Sequence, residues 1–284
     1  MKRETCEWVS NALTFHVSLS ANANPQSPIS SPQSPAPSPM HHFFLIHTPI
    51  TPGQPVDLTP LAHQLRSVLR LAPGESILLL DNAGFAYPTE ISQIDKNTAA
   101  GNVLSREVAE GEPPVALSLY LCALKADKFE WVLQKGVEIG VSRFVPVISS
   151  RTIVRPAEKI SRKYERWQTI IREAAEQCGR GRLPVLDDPL NWSGAVQQPS
   201  GLRLMPWELA GTDSIALGVA LEKANSPTTC SLLIGPEGGI DEMEAAEAVA
   251  AGWQAVTLGP RILRAETAAI TAAGLILHRL GDLG

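Results

Sequence analysis

Ser231-Leu232-Leu233-Ile234-Gly235-Pro236-Glu237-Gly238-Gly239 joins a short apolar run of buried-strand type to a loop in which three glycines allow a sharp turn and close approach to a ligand. A helix is expected next, with Asp241 as its cap, Glu244 reaching back as a capping box, and Gly252 at its end. The pattern then repeats. Ala255-Val256-Thr257-Leu258 reads as a strand and Gly259-Pro260-Arg261-Ile262-Leu263-Arg264-Ala265-Glu266 as a second loop. Thr267 is expected to cap a last helix reaching Leu280, closed by Gly281. Two strand–loop–helix units in succession predict an α/β fold with a parallel sheet, whose ligands lie beyond the carboxyl ends of its strands.

Leu233 to Gly239 and Leu258 to Ala268, as a pair at this spacing, resemble the RsmE family of ribosomal RNA small-subunit methyltransferases in the SPOUT superfamily. The resemblance implies a C-terminal domain with a trefoil knot, S-adenosylmethionine as cofactor, and methylation of N3 of one uridine in 16S rRNA. It further implies a cofactor pocket made from Gly235, Pro236, Glu237, Gly238, Gly239, Leu258, Gly259, Ile262 and Leu263. The loop after a strand at Leu202–Met205 would form its third wall, through Met205, Pro206 and the following Trp207 and Glu208.

The chemistry asks for few groups. The sulfonium methyl is already activated, so positioning carries much of the catalysis. Uracil N3 must lose a proton, which calls for a base or for cations that hold the charge spread onto O2 and O4. Arg264 and Glu266 stand in the loop expected to face the ligand, and are the catalytic candidates. Arg264 would stabilise the anion or hold a phosphate. Glu266 would orient Arg264 or take part in proton removal, the alternative for both being a buried pair that braces the loop.

The chain has 284 residues, room for one large or two medium domains, and a net charge of -5. That charge argues against general affinity for nucleic acid, but its distribution is uneven. Between Arg151 and Arg182 there are nine Lys or Arg against four Glu. Such a segment fits localised RNA contact or a solvated helix face. Four cysteines, Cys6, Cys122, Cys178 and Cys230, have no metal spacing and read as reduced thiols of a cytoplasmic protein. No apolar run approaches a membrane span, no metal is expected, and the lone histidines read as structural or solvated.

Residues 1–39 are rich in Pro, Ser, Gln and Asn from Asn22 onward and are expected to be a disordered, dispensable tail, with Met40 as the natural start. Residues 40–112 carry short-strand signals around Phe43–Ile46, Ser76–Leu80, Tyr87–Ile94 and Gly101–Val108, with one helix over Pro60–Leu71. A small β-barrel fits them, and the resemblance implies a PUA-like RNA-binding domain with Arg66 and Arg70 as phosphate contacts. The resemblance implies that residues 113–284 form the methyltransferase domain. It opens with a strand over Val115–Cys122, a helix capped by Asp127 with Glu130 as box partner, and a strand at Phe144–Ile148.

Ala157–Cys178 reads as an amphipathic helix whose stripe of Ile160, Tyr164, Trp167, Ile171, Ala174 and Cys178 is core. Its basic side and the loop after it, with the family-like run Glu173–Arg180, make Arg172, Gln177, Arg180 and Arg182 candidate RNA contacts, together with Arg151. The expected partners are 16S rRNA or the small subunit, and a second copy of the chain. The last helix is apolar on most sides, with Ala272 and Ala273 among the positions considered for a dimer surface. Two other readings stay open: a SPOUT ribose 2′-O-methyltransferase, and an RNA-binding assembly factor without catalysis.

Overall fold

The computed structural model describes residues 40–152, 162–199, 201–208 and 214–283; the tail before Met40 and Ile160 lie outside them. The first strands are β1 (His41–Phe44), β2 (Pro55–Asp57), β3 (Ser76–Leu80), β4 (Phe85–Ile94), β5 (Ala99–Val103) and β6 (Glu107–Val108). They pair in the order β1-β3-β4-β5-β2, with β6 on β4. β1 runs parallel to β3 and the other pairs are antiparallel. Alternation along the strands decides the packing. Phe43, Ile77, Leu79 and Tyr87 bury in one core with Val56, Leu58 and Leu65, while Phe44, Leu80 and Ala86 face the core of the second sheet.

The helix expected over Pro60–Leu71 is replaced by a 3-10 turn at Thr59–Leu61 and a wide π turn at Gln64–Val68. Leu69 donates to Gln64 O at 3.0 Å and Leu71 to Leu65 O at 2.9 Å, so the turn is wound more loosely than an α-helix. Leu61, Ala62 and Leu65 stay buried, and the chain leaves through Arg70 in a left-handed conformation (φ 58°).

The second sheet is built from β7 (Ala116–Cys122), β8 (Arg143–Ile148), β9 (Val185–Leu186), β10 (Leu190–Asn191), β11 (Leu202–Pro206), β12 (Ile215–Ala216), β13 (Thr229–Ile234) and β14 (Gln254–Thr257). Its order is β10-β8-β7-β13-β11-β14-β12, with β9 on β8, and every pairing is parallel. Strands buried on both faces need continuous apolar runs, which Leu119–Leu124 and Leu232–Ile234 provide. The helices are α1 (Ala126–Glu138), α2 (Tyr164–Cys178), α3 (Trp192–Gln197), α4 (Leu217–Lys223), α5 (Glu242–Ala250) and α6 (Ala265–Arg279). Residues of α1, α2, α4 and α6 pack on the face that takes Leu119, Leu121, Leu204 and Leu232. Residues of α3 and α5 pack on the face that takes Tyr120, Cys122, Met205 and Leu233. Trp167 is core as expected, stacked on Phe129 with centroids 4.3 Å apart.

Two expected capping boxes are absent, the first because its helix starts earlier, and both glutamates have partners elsewhere. Helix α1 begins at Ala126 after Lys125, one turn position ahead of Asp127, and Glu130 instead binds Arg166 through both oxygens at 2.9 and 2.8 Å. Asp241 does cap α5, accepting from Met243 N at 3.0 Å. Glu244, however, takes Ser150 N at 2.6 Å and Ser150 Oγ at 2.9 Å. Helix α6 starts earlier than Thr267, with Arg264 at the cap position. Ala272 and Ala273 are fully buried within the chain, so neither faces outward, as a dimer contact would require. Thr267, Thr271 and Leu275 make the outward side of that helix.

Candidate active site

β13, β11 and β14 lie side by side, so the loops at their carboxyl ends meet at one edge of the sheet. There they enclose a cavity of about 480 Å³, within the range of about 300–1,000 Å³ usual for cofactor sites. Pro206, Trp207 and Glu208 supply one wall, Gly235, Pro236, Glu237 and Gly239 the second, and Leu258, Gly259, Ile262, Leu263 and Arg264 the third. The opening of α1 adds Lys128.

Two glycines make the backbone fit. Gly239 has φ +73°, and a Cβ there would stand 2.6 Å from Glu208 Oε1. Gly259 has φ +110° with nothing within 4 Å of a Cβ position, so its backbone borders open space. These features suit a ligand that must lie against main chain, as S-adenosylmethionine would.

Two of the expected cofactor residues stand apart from the cavity wall. Met205 alternates with the residues of β11 that point the other way and is fully buried in the core under α3 and α5. Gly238 turns toward Arg151, whose Cβ lies 3.3 Å from its Cβ position. Arg151 itself donates to Gly238 O at 3.3 Å and pairs with Asp241 at 3.1 Å, bracing the glycine loop from outside.

The expected Arg264–Glu266 pair is replaced by a different one. Arg264 is exposed on the cavity wall, and its side chain has no hydrogen bond or ion pair among the described residues. Glu266 does not line the cavity; its carboxylate meets Lys128 Nζ at 3.2 and 3.4 Å. Lys128 also lies 3.8 Å from Glu237. Sequence reasoning passed over Lys128. The signal available was its place just after β7, at the carboxyl edge where ligands bind. Burial pushes the Cys122 and Cys230 thiols up to about 12, so neither is a nucleophile.

The candidate RNA contacts are dispersed. Arg66, Arg70, Gln177 and Arg182 are exposed. Arg172 is half-buried, reaches Phe44 O at 3.5 Å, and lines a second cavity with His47, Gln168 and Leu183. Arg180 is a correction: it is 3 % exposed, binds Glu112 at 2.9 and 3.3 Å, and donates to Val141 O at 2.5 Å. Its guanidinium ties the end of α2 to Glu112 and to the turn after α1 at Val141, and has no surface to offer RNA.

A family model described as an RNA methyltransferase domain matches residues 111–277, and one described as an RNA methyltransferase PUA domain matches residues 62–104. Fold and site together thus define an RNA methyltransferase with a PUA domain in front. The chain is 34% identical over 219 residues to the ribosomal RNA small subunit methyltransferase E of Synechocystis sp., covering 77% of this chain and 71% of that protein. The enzyme of that name in Bacillus subtilis is 30% identical over 222 residues, covering 76% of this chain and 87% of that one. The ribosomal RNA small subunit methyltransferase E of Neisseria gonorrhoeae, solved bound to S-adenosyl methionine, superposes with a TM-score of 0.74 at 33% identity, over 84% of this chain and 97% of that one. A methyltransferase of Legionella pneumophila, solved with the same cofactor, gives 0.76 at 30% identity, over 85% of this chain and 98% of that one. The chain belongs to the ribosomal RNA small subunit methyltransferase E family.

Proposed function

We propose that this protein uses S-adenosylmethionine to methylate N3 of one uridine in 16S rRNA, in the cytoplasm and as a homodimer. The observation that carries the reading is the cavity walled by the ends of β11, β13 and β14, at the residues that carry the family motifs. Residues 40–112 would dock RNA as the PUA-like domain and residues 113–284 would hold the cofactor and perform the transfer. Pro206, Gly235, Pro236, Glu237, Gly239, Leu258, Gly259, Ile262 and Leu263 are the cofactor contacts in this reading. The bound cofactor supplies a methyl group on a positively charged sulfur.

The residues divide the remaining work. Exposed Arg264 would hold a phosphate of the RNA, a reading supported by its having no side-chain partner among the described residues. Arg66, Arg70, Arg172, Gln177 and Arg182 would extend the contact across the chain. For the homodimer, the support is apolar surface: Trp131 on α1 and Leu275 on the adjacent α6 are 44% and 47% exposed.

The test is methylation of small-subunit RNA from a strain lacking the protein, followed by mapping of the new methyl group. A 3-methyluridine at one position is expected. A ribose 2′-O-methyl product would overturn the assignment of the atom. RNA binding without heat from S-adenosylmethionine in calorimetry would mark an assembly factor instead.

A further inference from the structure

We infer that Lys128 and Glu237 act on the substrate base, Glu237 taking the N3 proton and Lys128 holding the resulting anion. The inference rests on the uracil N3 reading above. Three elements bring one cation and two carboxylates together: the first turn of α1 supplies Lys128, the loop after β13 supplies Glu237, and the first turn of α6 supplies Glu266. The three side chains are 26%, 21% and 16% exposed, so the cluster is largely withdrawn from water. Electrostatic terms weigh more in such a place than on an open surface.

The distances assign the roles. Lys128 Nζ lies 3.2 Å and 3.4 Å from the two oxygens of Glu266, which is off the cavity wall. Glu266 therefore fixes the ammonium from behind. Glu237, on the wall, stands 3.8 Å from the ammonium, too far for a hydrogen bond. An ammonium has three donors, so Lys128 keeps donors for a ligand in the cavity. Arg264 and Arg261 also line it, but neither side chain is held by a partner among the described residues. A charge already oriented stabilises a transition state better than one that must first be ordered.

The step balances within this cluster. The N3 proton passes to a Glu237 carboxylate oxygen, and the ring charge spreads onto O2 and O4. The N3 electron pair forms the bond to the methyl carbon, while the carbon–sulfur pair stays with sulfur. Before the step Lys128 faces two carboxylates; after proton transfer Glu237 is neutral and the uracil anion takes its place beside the ammonium. At 3.8 Å Lys128 donates no hydrogen bond to Glu237, so the bond its free donors make to a ring oxygen strengthens as the charge forms there. Glu237 then returns its proton to water.

The experiment compares Lys128→Met, Lys128→Arg and Glu237→Gln in the full chain, on small-subunit RNA made with uridine or with 5-fluorouridine, whose N3 is more acidic. Lys128→Met is expected to lower kcat by about 10²–10³-fold, the loss seen when one preorganised anion-stabilising donor is removed. KM for RNA and calorimetric affinity for S-adenosylmethionine should hold, and Lys128→Arg should restore much of the rate. The fluorinated RNA should recover most of the loss in Lys128→Met and Glu237→Gln. In Glu237→Gln the rate should climb with pH across the range where wild type is level. Loss of cofactor affinity in step with kcat in Lys128→Met, or no gain from the fluorinated RNA in either variant, would reduce the cluster to a brace between loops. If Lys128→Met fails to fold, the fluorinated-RNA comparison in Glu237→Gln decides alone. A wild-type product methylated elsewhere than N3 would instead remove the uracil reading itself, whatever the variants do.

Discussion

Phe43 and Phe44 are consecutive residues of one strand, and their rings are buried in different cores. Phe43 packs within the N-terminal sheet, while Phe44 packs with residues of the parallel sheet and its helices. The backbone N–H of Phe44 donates to Glu176 Oε1 on α2 at 2.9 Å, and His42 Nδ1 lies 3.0 Å from Glu176 O. One strand thus joins two packed bodies. Phe44→Ala should cost about 3–5 kcal/mol, as for other buried phenylalanines, and both sheets should still melt in one transition. Denaturation followed by fluorescence and by circular dichroism gives the check: two separated transitions in wild type would contradict it.

The glycine loop separates into residues that face the cofactor space and one that does not. Gly239→Ala adds a Cβ that would press on Glu208 in a conformation L-residues rarely adopt. Its affinity for S-adenosylmethionine should fall by about tenfold or more, near 1.4 kcal/mol. Gly238→Ala, whose Cβ turns to Arg151, should bind as wild type does. Equal affinities in titration calorimetry would undo this placement.

Arg180 and Arg182 stand two residues apart and serve different ends. Arg180→Ala leaves Glu112 without its buried partner and should lower stability by about 3 kcal/mol. Arg182→Ala should leave stability alone and reduce the salt slope of RNA binding by about one phosphate contact. A stable Arg180→Ala protein with a reduced salt slope would reverse the assignment.

Burial raises the Glu176 carboxyl above its ordinary value, against the opposing pull of the Phe44 N–H and Arg172. Between the ordinary value, about 4.3, and the raised one, the folded protein keeps a proton that the unfolded chain has lost. The stability tied to this group is therefore present below that window and is lost as pH rises through it. Glutamine would keep the Phe44 bond without a charge. The stability advantage of Glu176→Gln over wild type should then grow with rising pH across the window and level off above it. A gap that narrows with rising pH, in urea titrations from about pH 4 to pH 8, would refute the account.

Leu275 tests the homodimer where Ala272 and Ala273 cannot, because a charge at either alanine would disrupt the chain's own core. Leu275→Glu places its charge on the outward side of α6. Sedimentation should then show a monomer from a dimeric parent, with the melting temperature little changed. A wild-type monomer that still methylates RNA would remove the proposal.

Much of the parallel sheet was legible because strands buried on both faces must read as unbroken apolar runs, and loops against a ligand must be glycine-rich. Side-chain partners were less so. Glu130 and Glu244 have the spacing of box residues, yet Arg166 and Ser150 take them, and those partners lie far off in sequence. Arg180 reads as part of a solvated basic loop until Glu112, 68 residues earlier, closes over it. Lys128 reads as an ordinary surface lysine of a helix start; only the strand order brings it to Glu237 and Glu266. The π turn at Gln64–Val68 shares its apolar spacing with a regular helix, and periodicity does not distinguish them.

β11 lies between β13 and β14, although both follow it in the chain. The third wall of the cavity, from Leu258 to Arg264, follows β14 directly, so a chain in which β14 has not yet paired with β11 lacks that wall. Cofactor binding during refolding therefore reports completion of the sheet, and a partly folded chain has no site to fill.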